Sequence, residues 1–156
     1  MGFVFVFMKK DMFILQPMDF NKLKNEVKKN KGKKIVFYSS NDDLNRKVME
    51  KLMIDGIMVS LEGRRDYMKQ RDSGFNEVMA LLAKKKKIDM YFNFEELFLS
   101  KNKERILSRL KQNIDLCSRV KVNIKVYMGK IEKSELDIKA LFLTLGAPTW
   151  MVKSLF

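Results

Sequence analysis

Short β-prone runs alternate with amphipathic helical segments along nearly the whole chain. That alternation restricts it to folds in which helices cover a parallel sheet. Residues 3–7 and 12–15 are apolar, and Pro17 follows the second run. Asp19 suits the N-cap of a helix with Phe20, Leu23 and Val27 on one face and Gly32 beyond its end. Residues 35–38 form the next β-branched and aromatic run. A polar start at residues 41–43 leads to Leu44, Val48, Met49 and Leu52 on one helical face, with Gly56 after it. Residues 57–61 predict a strand and residues 62–73 a polar loop. Phe75, Val78, Met79 and Leu82 then fall at helical spacing, and lysines 84–87 close that helix where positive charge suits its C-terminus.

A strand over residues 88–94, a short helix over 95–99 and a long helix from about 103 to 120 come next. Leu107, Leu110, Ile114 and Cys117 are the expected buried stripe of the long helix. The last predicted strand covers residues 122–128. Ser134 with Asp137 forms a weak capping box for a helix whose core face is Ile138, Leu141, Phe142 and Leu145, ended by Gly146. Pro148 starts a terminal turn. Five or six strands and 156 residues describe one domain, residues 1–156. A closed eight-stranded barrel typically takes about 250 residues, so the expected α/β fold is a parallel sheet with outer helices that is open or only partly barrel-like. Lys121, Asn123 and Lys125 alternate with Val122, Ile124 and Val126. Such a strand is either an edge defended by lysines or one with a face towards a charged partner.

Charge narrows the partner. The 32 Lys and Arg outnumber the 19 Asp and Glu, for a net charge of +13. The excess is spread through the chain: residues 1–60 hold 12 basic and 7 acidic side chains, residues 61–120 hold 14 and 9, and residues 121–156 hold 6 and 3. A domain basic throughout favours a polyanion, most commonly nucleic acid, over a detachable basic arm. The plainer alternative is a lysine-rich surface that serves solubility.

The chain has no histidine. That removes histidine-based zinc sites, histidine general bases and Ser-His-Asp triads. Cys117 is the single cysteine, so no internal disulfide or cysteine-rich metal site exists, which suits a reducing cytoplasm. Its position beside Ile114 and Leu110 predicts a buried structural thiol. The N-terminal apolar run precedes its lysines, the reverse of a secretory signal, and no segment is long enough to span a bilayer. Val6 stands where a myristoylation motif needs Ser or Thr.

The loop over residues 62–73 follows a predicted strand, and loops at the C-terminal ends of parallel strands carry function. It holds Arg64, Arg65, Lys69 and Arg71. Arginine forks suit bidentate contact with phosphate. Asp66 and Asp72 among them either orient the guanidinium groups or form surface salt bridges worth little.

Several ordered motifs then carry a resemblance. These are Asp43-Leu44-Asn45-Arg46; Asp55-Gly56-Ile57-Met58-Val59-Ser60; Gly63-Arg64-Arg65-Asp66; Ser73-Gly74-Phe75-Asn76-Glu77-Val78; and Leu82-Ala83-Lys84-Lys85. Tyr91-Phe92-Asn93-Phe94, Arg109-Leu110-Lys111-Gln112-Asn113 with Leu116-Cys117, and Asp137-Ile138 with Leu145-Gly146 continue the series. Over residues 35–146 the chain resembles ribonuclease P protein component 3, the archaeal and eukaryotic subunit with a TIM-barrel-like fold. The chain departs from the family in being short at the N-terminus, where relatives have further strand–helix units. It also has Tyr127-Met128-Gly129-Lys130 at a strand end that relatives keep small and serine-rich.

The resemblance implies a shortened TIM-barrel-like domain in a ribonucleoprotein that removes the 5′ leader of precursor tRNA. It implies that the RNA subunit holds the active site and the Mg²⁺, while the protein binds no cofactor and stabilises the RNA. The implied partners are ribonuclease P RNA, a Pop5-type protein subunit and, indirectly, precursor tRNA, with no membrane. Arg64, Arg65, Lys69 and Arg71 are the expected core RNA contacts. Lys84 and Lys85 are auxiliary ones unless they only solvate a helix end. Arg105 and Arg109, four apart on the long helix, extend the patch or pair with Glu104 and Asp115. Two other functions compete. A stand-alone metal-dependent phosphoesterase would need an all-carboxylate Mg²⁺ site, for which Asp42, Asp43, Glu62 and Asp66 are available without clear ligand spacing. A protein-binding scaffold would use Phe92, Phe94, Phe98 and the 12 methionines, although core packing accounts for the same residues.

Overall fold

The computed structural model describes residues 11–156; the expected strand over residues 3–7 lies outside the described residues. Five apolar runs form strands: β1 (Met12–Leu15), β2 (Lys34–Ser39), β3 (Gly56–Val59), β4 (Asp89–Asn93) and β5 (Ile124–Tyr127). The helices are α1 (Phe20–Lys29), α2 (Asp42–Lys51), α3 (Glu77–Lys86), α4 (Phe94–Leu99), α5 (Lys103–Val120), α6 (Glu135–Thr144) and α7 (Thr149–Lys153). Side chains of Asp19, Asn41, Asn76 and Asn93 accept N–H groups of the first turns of α1 to α4, which fixes where each helix leaves the sheet. Ser134 stands at the N-cap of α6 but makes no capping hydrogen bond, so the capping box expected there does not form.

All strands are parallel, in the order β1-β2-β3-β4-β5. Right-handed crossovers taken in strict sequence place every helix on the same side of the sheet. The packing shows this division. Leu15, Phe37, Ile57, Met90, Phe92 and Ile124 join the helices in one large core. Ile14, Val36, Met58 and Tyr91 form a separate cluster on the opposite face, with no helical residue in it. On that inner face the Tyr91 ring lies over Gly56, where a Cβ would collide with it. The sheet is thus wound like a barrel segment and is not closed among the described residues. Beyond β5, the Val126 N–H donates to the Leu155 carbonyl at 2.9 Å. The C-terminal segment after α7 therefore occupies part of the last strand's free edge, which an edge strand needs.

Two helical stripes differ from the sequence pattern. In α3 the buried residues are Met79, Ala80 and Ala83, while Val78 is exposed and Phe75 precedes the helix. Asn76 caps the helix, and the face that reaches the sheet is the alanine side, where small residues allow close approach. In α5 the buried face is Ile106, Arg109, Leu110, Asn113, Ile114, Leu116 and Cys117, with Leu107 only half-buried. Two of these are polar, and both face the loop after β3. Cys117 is buried against Met90, and burial pushes its thiol up to about 12. Native protein at neutral pH should therefore resist a thiol reagent, with labelling rising only through the urea unfolding transition. Rapid labelling without denaturant would contradict this packing.

Candidate nucleic-acid interface

The loop over residues 62–73 leaves the C-terminal end of β3 and is fastened by long-range contacts. Glu96, on α4, accepts three hydrogen bonds on Oε1: from Ser60 Oγ at 2.6 Å, from the Leu61 N–H at 2.9 Å and from the Glu62 N–H at 2.6 Å. It ties the loop's first residues to the neighbouring strand–helix unit. Arg109, on α5 and 2% exposed, donates from Nη1 to the Leu61 carbonyl at 2.8 Å and from Nη2 to the Arg64 carbonyl at 2.7 Å. Its Nη2 also meets Asp66 at 3.2 Å. Gln112 donates to the Arg71 carbonyl and Asn113 to the Ser73 carbonyl. One face of α5 therefore satisfies four loop carbonyls, those of residues 61, 64, 71 and 73, of which the buried Leu61 and Ser73 groups could not go without partners.

Arg64 closes the loop on its other side. Its side chain is 7% exposed and pairs with Asp42 at 2.8 Å and Asp72 at 3.2 Å, while Nε donates to the Ser60 carbonyl. Burial works against its charge, but the Asp42 and Asp72 carboxylates outweigh that and raise its pKa. Gly74 has φ +69°, and a Cβ there would collide with the Arg64 guanidinium and Val59. Only glycine permits this close approach.

The expected site residues thus divide into three groups. Arg64 and Arg109 face inward with their forks on Asp42, Asp66, Asp72 and backbone carbonyls, where they hold the loop's shape. Arg109 pairs with Asp66 rather than with Glu104 or Asp115, and Asp115 lies 3.6 Å from Lys111. Arg65, Lys69, Arg71 and Arg105 are exposed on or beside the loop. Lys84 and Lys85 sit at the far end of α3, which leads into the start of β4 and so lies at the opposite end of the sheet. Lys84 donates to the Lys121 carbonyl, and its neighbour Lys86 donates to the Met49, Glu50 and Leu52 carbonyls at the end of α2.

Folding adds two arginines. One cleft beside the loop is lined by Arg46, Arg71 and Arg119, and the other by Arg64, Arg65, Arg105 and Arg109. These seven are all the arginines in the chain, whereas the 25 lysines are scattered. Five are exposed, and of these Arg46 alone has an ion pair among the described residues, a surface contact with Glu50. Arg46 had a signal, since it lies in a motif that supports the family resemblance. Arg119 and Glu96 had none, because the arginines that share a cleft with Arg119 and the donors to Glu96 lie tens of residues away.

Asp66 makes the loop sensitive to acid. The Asp72 N–H donates to its Oδ1 at 3.0 Å and Arg109 adds a second contact, and together they hold its carboxyl below the usual range. Because the folded value is depressed, its stabilisation is complete above the unfolded value near pH 4 and is lost as pH falls through the folded value. The urea midpoint should therefore fall on acidification below about pH 4. Asp66→Asn should remove part of that fall, and an identical pH profile in the variant would contradict the assignment.

The fold is shared with a chain of archaeal ribonuclease P. The match is to a cryo-EM structure of archaeal ribonuclease P with mature tRNA, at a TM-score of 0.77 and 23% identity. It covers 91% of this chain and 62% of that one, so the present chain spans less than two thirds of its length. No protein-family profile matches the sequence, and neither does any curated protein.

Phe92 and Phe94 are buried in the core and Phe98 is partly exposed, so the three do not form one adhesive face. Among the described residues no helix is long and apolar enough to cross a membrane. No group of three or more Cys, Asp or Glu among them is placed to hold a metal ion. Asp42 and Asp66, two of the carboxylates considered for such a site, are each engaged by an arginine.

Proposed function

We propose that this chain is a protein subunit of a ribonuclease P ribonucleoprotein and binds its RNA through the arginine-lined loop. The observation that carries the proposal is the gathering of all seven arginines around one fastened loop, on a fold shared with a chain of archaeal ribonuclease P. The exposed forks of Arg46, Arg65, Arg71, Arg105 and Arg119, with Lys69, would neutralise RNA phosphates. Lys84 and Lys85, at the other end, would meet only an RNA that wraps the domain. Neutralisation releases counterions and lets phosphate-rich strands approach, which favours the compact RNA fold and the Mg²⁺ it holds. In this reading the reaction, removal of the 5′ leader of precursor tRNA, belongs to the RNA, and the protein contributes affinity and shape. A Pop5-type subunit is the proposed protein partner.

Reconstitution tests this. Precursor-tRNA cleavage by ribonuclease P RNA at low Mg²⁺ should rise when the chain and its partner subunit are added, and Arg65→Ala should reduce the gain. No gain, with no RNA binding at physiological salt, would refute the proposal. Cleavage by the protein without RNA would instead support a phosphoesterase.

A further inference from the structure

At the tip of the same loop the chain exposes two large side chains in succession. Tyr67 is 74% exposed and Met68 is 101% exposed. Single exposed apolar residues are ordinary on protein surfaces, but three features set this pair apart. First, the tip is shaped in advance. The Tyr67 N–H donates to the Gln70 carbonyl at 2.9 Å and the Gln70 N–H to the Tyr67 carbonyl at 3.1 Å, so Met68 and Lys69 form the apex of a closed turn. The base of the loop is held by Arg109, Gln112 and Asn113. Second, the pair is flanked by exposed cations, Arg65 before it and Lys69 and Arg71 after it. Third, Tyr67 stands on the wall of the cleft that holds Arg46, Arg71 and Arg119, a space of about 440 Å³.

An aromatic ring interleaved with cations on a rigid loop is the chemistry that recognises unpaired nucleotides. The ring offers a π-face to a base, and the cations take the phosphates on either side. A paired base has no free face to offer. We infer that Tyr67 stacks on an unpaired base of the bound RNA, with Met68 packed against the base edge and Arg65, Lys69 and Arg71 on the adjoining phosphates. Asp43 and Glu77, exposed on the same cleft, repel phosphate close to them but can accept hydrogen bonds from base N–H groups. Between these carboxylates and the arginines the cleft can take a base edge as well as the phosphates beside it. An acidic protein segment would also meet the cations but would use the ring only for apolar packing. This inference rests on the RNA-binding role proposed above and assigns its contact to a single-stranded or bulged element.

Fluorescence anisotropy with a labelled oligouridine and with an RNA duplex of equal length tests it. Tyr67→Ala should weaken oligouridine binding about tenfold or more, within the stacking range. It should change duplex binding by less than about twofold, since phosphate contacts persist. Tyr67→Phe should keep wild-type affinity for both, and Arg65→Ala should weaken both. An equal loss on both RNAs for Tyr67→Ala would overturn the base contact. So would unchanged oligouridine binding in Tyr67→Ala while Arg65→Ala still weakens both, an outcome that removes the tip from the RNA contact and leaves the RNA interface intact. Failure of the wild-type chain to bind either RNA at physiological salt would remove the inference together with the reading beneath it.

Discussion

Arg109→Ala is expected to destabilise the fold by about 2–5 kcal/mol, because it strips a buried donor from two loop carbonyls and leaves a hole in the packing. The side chain is 2% exposed and donates to two loop carbonyls and to Asp66. Truncation leaves the Leu61 and Arg64 carbonyls without their donor and opens a void beneath the loop, while Asp66 keeps the Asp72 N–H. Each unsatisfied buried group costs about 1–3 kcal/mol. Arg109→Lys should recover little, because a single ammonium cannot span the Leu61 and Arg64 carbonyls as a fork does. The measurement is urea unfolding, with a lowered midpoint at constant slope. A change under about 1 kcal/mol, the usual worth of a surface pair, would mean that the guanidinium is not the clamp described here. Any loss of RNA affinity in this variant should follow disorder of the loop, so it should reverse under conditions that restore the fold.

The second large effect is on binding. Changing Arg65, Arg71, Arg105 and Arg119 together to Ala should lower affinity for ribonuclease P RNA on the order of 100-fold at physiological salt, as several charge-assisted contacts are lost. The slope of log affinity against log salt should become shallower by roughly 0.7–0.9 per lost phosphate contact. All four residues are exposed, so the urea midpoint should stay near wild type. Changing four lysines at the far pole, Lys84 and Lys85 with Lys28 and Lys29 of α1, provides the comparison at equal charge. An equal loss in both variants would mean that net charge, and not the arginine loop, governs binding. Arg109→Ala and the four-arginine variant together separate the two kinds of arginine: the first should lower stability, and the second should change the salt-dependent term.

The sheet and its helices were legible because their signals are local. Alternation of β-branched runs with helical spacing predicts β1 to β5 and α1 to α6 within a few residues, while the terminal turn expected at Pro148 is the short helix α7. The loop after β3 was legible as the candidate site because it is polar, arginine-rich and placed at a strand's C-terminal end. The inward turn of Arg64 and Arg109 was not legible. A charged residue on a helix looks the same in sequence whether its neighbour in space is water or a row of backbone carbonyls. In α5, the 3.6-residue period puts Arg109 and Asn113 on the buried stripe, but only the loop packed there turns them into its fasteners. The same holds for Glu96, whose three donors lie more than thirty residues back along the chain. Sequence alone determined a basic, histidine-free α/β domain with an arginine-bearing loop. Tertiary packing decided which arginines hold that loop and which face outward, because burial depends on segments that meet only when the sheet assembles.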